Sequence, residues 1–577
     1  MTLTFTLAGL AEFLDGGGSP VAVAEAALAR LAAWNDPALL ISATPPADLL
    51  ARAAALAAEG RQGRPLWGVP FVVKDNIAAA GLPMTAACPD FAHVPGEDAP
   101  AVARLLAAGA LLLGKANLDQ FATGLNGTRS PYGTPRNAVR ADLVPGGSSS
   151  GSASAVAAGI VAFSLGTDTA GSGRVPAMAQ NIVGLKPTLG LVPSRGVVPA
   201  CRSLDCISVF AQSVADAAAV LAVIAGPDAI DPYSRSAPAA WSAAPAPQPS
   251  WRIAVPLDAE LIFDTDDDAA LFHASVDRAV AHGATVARVS IAPLIAVARR
   301  LYDGAWVAER TAALRDRVQR RPDTLHPVTR SILEGGLGRS AVDAFDDFHA
   351  VAEARLISRA IFARADALLL PTAPGTPTLA ALQAEPIAAN SRLGTYTNFV
   401  NLLDLCGLAV PAGFRPDGVP FGVTLLAPAF RDGALAGLGV ALNGESPVPP
   451  AVGAEETALF CIGAHMSGLP LNHQVTALGG RFLRATSTAP GYRLFDLGNR
   501  PGLLRDPAGA AIAGEVWVLP TAAIGALLAQ VPTPLGFGRV TLADGSAVLG
   551  FLAEAEGVAG APEVTALGGW RAVLAAR

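Results

Sequence analysis

Residues 145–173 read PGGSSSGSASAVAAGIVAFSLGTDTAGSG: a Gly/Ser-rich loop, a helix of small residues, a short apolar strand and a second Gly/Ser-rich loop. Three readings of such paired loops compete. A phosphate cradle of the P-loop type needs a lysine followed by Ser or Thr directly after its glycines, and neither loop holds a lysine. A flexible linker suits GGSSSGS alone, but the apolar run AFSLG returns the chain at once to TDTAGSGR. The third reading is a device that holds a nucleophilic hydroxyl at the ends of buried elements.

The flanking sequence supplies the frame for such a device. Upstream, GVPFVVKDNI (68–77) is a β-branched run with Lys74 at its end, and AVARLLAAGALLLGKANLD (101–119) reads as a helix and a buried strand ending near Lys115. Residues 1 to about 60 read as helices. Downstream, a Pro/Ala-rich stretch from Pro227 to Ser250 reads as a surface connection, WRIAVPL (251–257) as a strand, the segment through Phe348 as helical, and DALLLPTAP (366–374) as a buried strand. The segments 397–414 and 418–430 supply the last strands. Apolar strands alternating with Ala-rich helices predict an α/β domain whose sheet is covered on both faces. GESPVPPAVGAEE (444–456) reads as a linker, so the expected organisation is a domain over 1–443, then the linker, then a smaller β-rich α+β domain over 457–577.

Composition excludes several functions. With 51% apolar and 15% charged residues the chain is globular, and a net charge of −7 leaves no basic excess to attract nucleic acid or an anionic membrane. The first residues lack the positive start of a secretion signal and no apolar stretch reaches membrane-spanning length, so a soluble, cytoplasmic protein is expected. The five cysteines form no CxxC pair, and their odd number fits neither a disulfide framework nor a zinc site, so they are read as packing residues.

Lysine is nearly absent: only Lys74, Lys115 and Lys186 stand among 41 basic residues. A codon bias toward Arg explains the scarcity, but a surviving lysine is a candidate for work that Arg cannot do, because a desolvated amine can become neutral and accept a proton. Histidine, the usual base for a serine nucleophile, is a poor candidate. Of seven, only His93 falls in the first 270 residues. A lysine base therefore suits the Gly/Ser loops better than a Ser-His-Asp triad.

The segments GVPFVVKDNI, PGGSSSGSASAVAAG and FSLGTDTAGSGRVPA, in this order, resemble the amidase signature family, whose hydrolases use a Ser-cisSer-Lys triad. The resemblance implies that fold, with a mixed central sheet, and assigns Lys74 as base, Ser148 as bridging serine after a cis Gly147-Ser148 peptide, and Ser172 as nucleophile. Where members often have Gly-Gly-Ser before Arg, this chain has Ala-Gly-Ser-Gly-Arg. The backbone of Thr169, Ala170 and Gly171 would form the oxyanion hole. Asp168 and Arg174 would hold the loop, and Lys115 and Lys186 would make a loop contact and a turn.

LYDGAWVAER (301–310), with the segments 119–137 and 394–414, resembles the allophanate hydrolase branch of that family. There Tyr302 and Arg310 would recognise the substrate carboxylate and the backbone around Gly124 would line the pocket. On a continuous helix their eight-residue spacing turns about 80°, close enough for both side chains to converge. ALFCIGAHMSGLPLNHQVTALGGRF (458–482) resembles the C-terminal domain of the same branch, itself similar to gamma-glutamyl cyclotransferase-like folds, with His473 as candidate acid or anion-binding group. The implied activity is hydrolysis of allophanate (urea-1-carboxylate) to ammonia and carbon dioxide, the second domain assisting decarboxylation. A homodimer and urea carboxylase as pathway neighbour are implied too, and no metal or organic cofactor is. The alternative is another amidase of this signature, acting on malonamate or an amino-acid amide, with a non-catalytic second domain serving assembly.

Overall fold

The structure, a computed structural model, describes all residues except 1–2, 240, 247, 249, 446–451 and 453–454. The 444–456 linker expected from the sequence lies largely outside the described residues. Two compact units emerge, one of Met1–Ala237 and Trp251–Ser446, the other of Pro238–Ser250 and Pro447–Arg577.

The first unit is built on an eleven-stranded sheet. Its strands are β1 (Leu40–Ala43), β2 (Pro70–Lys74), β3 (Leu111–Ala116), β4 (Phe163–Asp168), β5 (Val183–Lys186), β6 (Cys206–Ala211), β7 (Trp251–Pro256), β8 (Ala284–Val289), β9 (Ala367–Pro371), β10 (Leu405–Phe414) and β11 (Pro420–Pro428). Their order across the sheet is β1-β3-β2-β4-β6-β5-β10-β11-β9-β7-β8. Pairing is mixed: β3, β2 and β4 run parallel, as do β9, β7 and β8, while the strands from β4 to β9 alternate. Every residue of β2, β4, β5, β6 and β9 is buried, the pattern of strands covered on both faces.

Two strands escaped the sequence reading. β1 sits between helices in a region read as wholly helical, and β8 falls inside the segment read as helical through Phe348. Both are edge strands of the sheet. Only Ala284 of β8 is buried and no residue of β1 is, so neither shows the apolar signature that marked the central strands.

The helix Ser150–Ala157 explains why a Gly/Ser-rich stretch is rigid here. Its serines fasten it to the neighbouring strand: Ser149 Oγ donates to the Thr167 carbonyl at 3.1 Å, Ser152 Oγ to that of Leu165 at 3.0 Å, and Ser164 Oγ returns a bond to Ser152 at 2.8 Å. A side chain at Gly151 would strike the Leu39 carbonyl at 2.4 Å, so only glycine lets the helix lie this close.

The second unit contains a five-stranded sheet in the order β13-β16-β12-β18-β17, from β12 (Glu456–Cys461), β13 (Arg481–Ser487), β16 (Ala513–Pro520), β17 (Leu535–Thr541) and β18 (Ala547–Ala553). A separate hairpin pairs β14 (Tyr492–Asp496) with β15 (Pro501–Arg505). Its main core gathers Leu459, Trp517, Phe551 and Trp570. Among the described residues no helix is long and apolar enough to cross a membrane.

Candidate active site

Lys74 ends β2 and Asp168 ends the adjacent, parallel β4, so the second Gly/Ser loop leaves the sheet beside the lysine. The helix that starts at Ser150 brings the first loop to the same point. Lys74 Nζ lies 2.8 Å from Ser148 Oγ and 2.8 Å from Thr167 Oγ1. The Gly147–Ser148 peptide is cis. Lys74 is fully buried. Burial pushes its amine down to about 7 from an ordinary 10.5; Asp119, Asp205 and Asp168 pull the other way and Arg310 reinforces the drop. An amine with that pKa is a base at neutral pH.

Ser172 is buried at the turn after β4, and among the described residues its hydroxyl makes no hydrogen bond. The turn is held from below. Asp168 accepts from the backbone N–H groups of Gly171 (2.8 Å) and Gly173 (3.0 Å) and from Arg174 Nε (2.9 Å) and Nη2 (3.0 Å). Both side chains are fully buried, and Asn401 Nδ2 donates to the Asp168 carbonyl at 2.9 Å. Gly171 adopts φ 131°, and a Cβ there would meet Thr397 Oγ1 at 2.4 Å, so this position requires glycine.

Of the three backbone groups expected at the oxyanion hole, Gly171 N–H is thus turned inward onto Asp168. The N–H groups of Thr169, Ala170 and Ser172 have no acceptor among the described residues. Thr169 is fixed through its side chain, whose Oγ1 donates to Asp205 Oδ1. Asp205 also accepts from Ala200 and Cys201 N–H, and burial raises its carboxyl to about 6.

Tyr302 and Arg310 meet, though not on one helix. Tyr302 belongs to Arg300–Asp303 and Arg310 to Trp306–Ala313, with the chain breaking at Gly304, where a Cβ would strike Asp347 Oδ2 at 2.3 Å. This corrects the continuous helix expected from spacing: the bend at Gly304, rather than an 80° offset, sets the guanidinium 5.5 Å from the centre of the Tyr302 ring. Arg310 is 1% exposed and donates through Nη1 to the Ala122 carbonyl and Thr123 Oγ1, while Nε and Nη2 are buried without a partner. Tyr302 lines a cavity of about 580 Å³ together with Leu125, Arg129 and Asn390. Gly124 lies between Thr123 and Leu125, and a side chain there would collide with Asp119 Oδ2 at 2.5 Å.

The families follow from this geometry and the sequence together. The family described as Amidase matches residues 22–436. The chain belongs to the amidase signature family. The amidase fold, with its large mixed sheet, therefore occupies the first unit, and residues 457–575 match the allophanate hydrolase C-terminal domain. The chain is 43% identical over 549 residues to urea amidolyase of Saccharomyces cerevisiae, covering 89% of this chain and 30% of that protein. It thus spans under a third of the length of that relative. Allophanate hydrolase of Kluyveromyces lactis is 38% identical in its solved structure, with a TM-score of 0.80 and full coverage of both chains. The peptide amidase of Stenotrophomonas maltophilia is 28% identical in its solved structure, with a TM-score of 0.64, the match covering 77% of this chain and 98% of that one.

The remaining sites expected from the sequence fall elsewhere. Lys115 Nζ donates to the Ile77 carbonyl and pairs with Asp75 at 3.4 Å, and Lys186 Nζ donates to the Pro187 carbonyl. His473, in the second unit, is exposed, its Nδ1 2.8 Å from the Pro470 carbonyl. The more enclosed histidine there is His465, stacked on Phe551 at 4.7 Å. Among the described residues no cluster of His, Cys, Asp or Glu is arranged to hold a metal ion. Sequence reasoning missed Thr167, Asp119 and Asp205. Thr167 stood in view, since strand alternation from Leu165 puts it on the other face from Asp168 and beside Lys74; the two aspartates carry no local signal.

Proposed function

We propose that the chain hydrolyses allophanate, with Lys74, Ser148 and Ser172 as its catalytic triad. Ser172 Oγ attacks the terminal amide carbonyl while its proton passes through the Ser148 hydroxyl to neutral Lys74. The C–N bond then breaks, and the departing amine takes the proton back along the same path and leaves as ammonia. Water repeats the sequence on the acyl-enzyme, which frees Ser172 and N-carboxycarbamate. The N–H groups of Thr169, Ala170 and Ser172 receive the oxyanion, and Asp168 keeps Gly171 and Arg174 in place beneath it.

The observation that carries the choice of substrate is Arg310, a buried guanidinium with two unpartnered nitrogens beside the Tyr302 ring. A buried cation with no carboxylate in direct contact is costly, and a substrate carboxylate would offset that cost. The terminal carboxylate of allophanate suits it, with Tyr302 as a further donor and the Gly124 backbone along the wall. Malonamate, which replaces the central N–H by CH2, is the competing substrate for the same site.

The C-terminal domain, residues 457–577 beyond a 444–456 linker, would assist loss of CO2 from N-carboxycarbamate, with His473 as the group to test first. Two ammonia and two carbon dioxide would result overall. We also propose a cytoplasmic homodimer with a urea-carboxylating enzyme as pathway neighbour. The test is ammonia release by purified protein from allophanate, malonamate and simple amides side by side, with Lys74→Ala and Ser172→Ala as controls. Preferred turnover of allophanate, abolished in both variants, supports the reading. Substantial activity in either variant removes the triad, and preference for malonamate removes the substrate.

A further inference from the structure

Arg129 is a second buried guanidinium close to Arg310. It is 3% exposed and lines the cavity that Tyr302 also lines. Two of its five N–H groups donate to carbonyl oxygens, Nη1 to Thr123 at 3.1 Å and Nη2 to Pro386 at 3.2 Å. Arg310 Nη1 binds the same residue, Thr123, through its Oγ1 at 3.0 Å. The two guanidinium groups therefore straddle Thr123, one on its backbone and one on its hydroxyl.

Neither forms an ion pair among the described residues. The carboxylate acting on Arg129 is Asp119, but its oxygens accept from the backbone N–H groups of Arg129 and Gly127 rather than from the guanidinium. Two carboxylates act on Arg310: Asp205, occupied by Thr169, Ala200 and Cys201, and Glu309, occupied by the backbone N–H and hydroxyl of Ser203. Two cations that share one threonine, removed from water and without a carboxylate bound to either, repel each other. An anion entering between or beside them relieves that repulsion.

We propose that Arg129 is a further specificity-determining residue, forming with Arg310 a two-arginine site that selects small amides bearing a carboxylate over neutral ones. The inference rests on the carboxylate-amide reading above and adds a second charge to it. Arg310 would engage the carboxylate on the Tyr302 side. Arg129 would raise the local positive potential and hold the 123–125 segment of the wall in register through its two carbonyl contacts.

The experiment compares full-length wild type, Arg129→Gln and Arg129→Lys by ammonia release from malonamate, allophanate and neutral propionamide. The readout is anion preference, the ratio of kcat/KM for malonamate to that for propionamide. Arg129→Gln keeps hydrogen-bonding capacity and loses charge, so the preference should fall by about tenfold or more, chiefly through KM. Arg129→Lys keeps the charge and should recover most of it. In the wild type the preference should decline with added KCl. If Arg129→Gln stays within about twofold of wild type, or if Lys loses as much as Gln, the residue is a loop clamp and the inference is overturned. Should Arg129→Gln not fold, the lysine variant and the salt dependence of the wild type decide in the same terms. A wild type with strong anion preference but no allophanate turnover would remove the proposed substrate and leave this inference standing. A wild type that prefers propionamide would remove both.

Discussion

Thr167 Oγ1 lies as near to Lys74 Nζ as Ser148 Oγ does, 2.8 Å in each case. A neutral amine has one lone pair and two N–H groups. If one N–H is given to Thr167, the lone pair can face Ser148, the direction from which the proton arrives. Asn76 Nδ2, 3.4 Å away, steadies the threonine. Thr167→Val should lower kcat by about tenfold or more with a smaller change in KM, whereas Thr167→Ser retains most of the rate. Equal kinetics for the valine and wild-type proteins would leave the threonine no part in aiming the lysine.

Because the amine must be uncharged to accept a proton and titrates at about 7, kcat/KM should be flat above neutrality and fall about tenfold per pH unit below it. A pH–rate profile on a substrate stable over the range checks this. A plateau reaching down to pH 5 would show that Lys74 is not the titrating base.

The same shift has a stability counterpart. The folded pKa of Lys74 lies below that of the unfolded chain, so between about 7 and 10.5 the unfolded state holds a proton that the folded state lacks, and stability attributable to this residue rises with pH. Below pH 7 the full penalty of burying the charged amine is present. Lys74→Met removes it and should unfold at a higher temperature than wild type at pH 6.5, by an amount that narrows toward pH 10. Thermal melts at the two pH values decide the matter; a variant less stable at both would mean that the lost contacts to Ser148 and Thr167 outweigh the charge.

The Asp168–Arg174 pair is buried on both sides and also holds the Gly171 and Gly173 N–H groups. Arg174→Met leaves a buried carboxylate without its counter-ion, and should cost about 3–5 kcal/mol. Urea unfolding followed by circular dichroism measures the loss, and an activated-phosphonate probe should label Ser172 more slowly in the folded variant. Unchanged unfolding midpoint and labelling would mean that the turn stands without the pair.

If the second unit acts after the amidase, protein cut within the linker should release the first ammonia at the wild-type rate while N-carboxycarbamate accumulates. Following ammonia and CO2 together over one turnover gives the answer. An unchanged product balance with altered sedimentation would assign that unit to assembly instead.

Residue order alone picked out the proposed triad: Lys74 at a strand end, and Ser148 and Ser172 in Gly/Ser loops that flank one helix and one strand. Their meaning is local, held in residue type and order along a short stretch, and the central strands were legible because burial on both faces writes itself as an unbroken apolar run. The edge strands β1 and β8 were not, since a strand half in water lacks that run. What sets the site's electrostatics emerged only from the folded chain. Asp119, Asp205 and Arg310 reach it from segments far apart in sequence, and the meeting of Tyr302 with Arg310 depends on a bend at Gly304. Charge acts through space and is strengthened by the removal of water, so which groups govern an amine at position 74 follows from how the whole sheet closes over it.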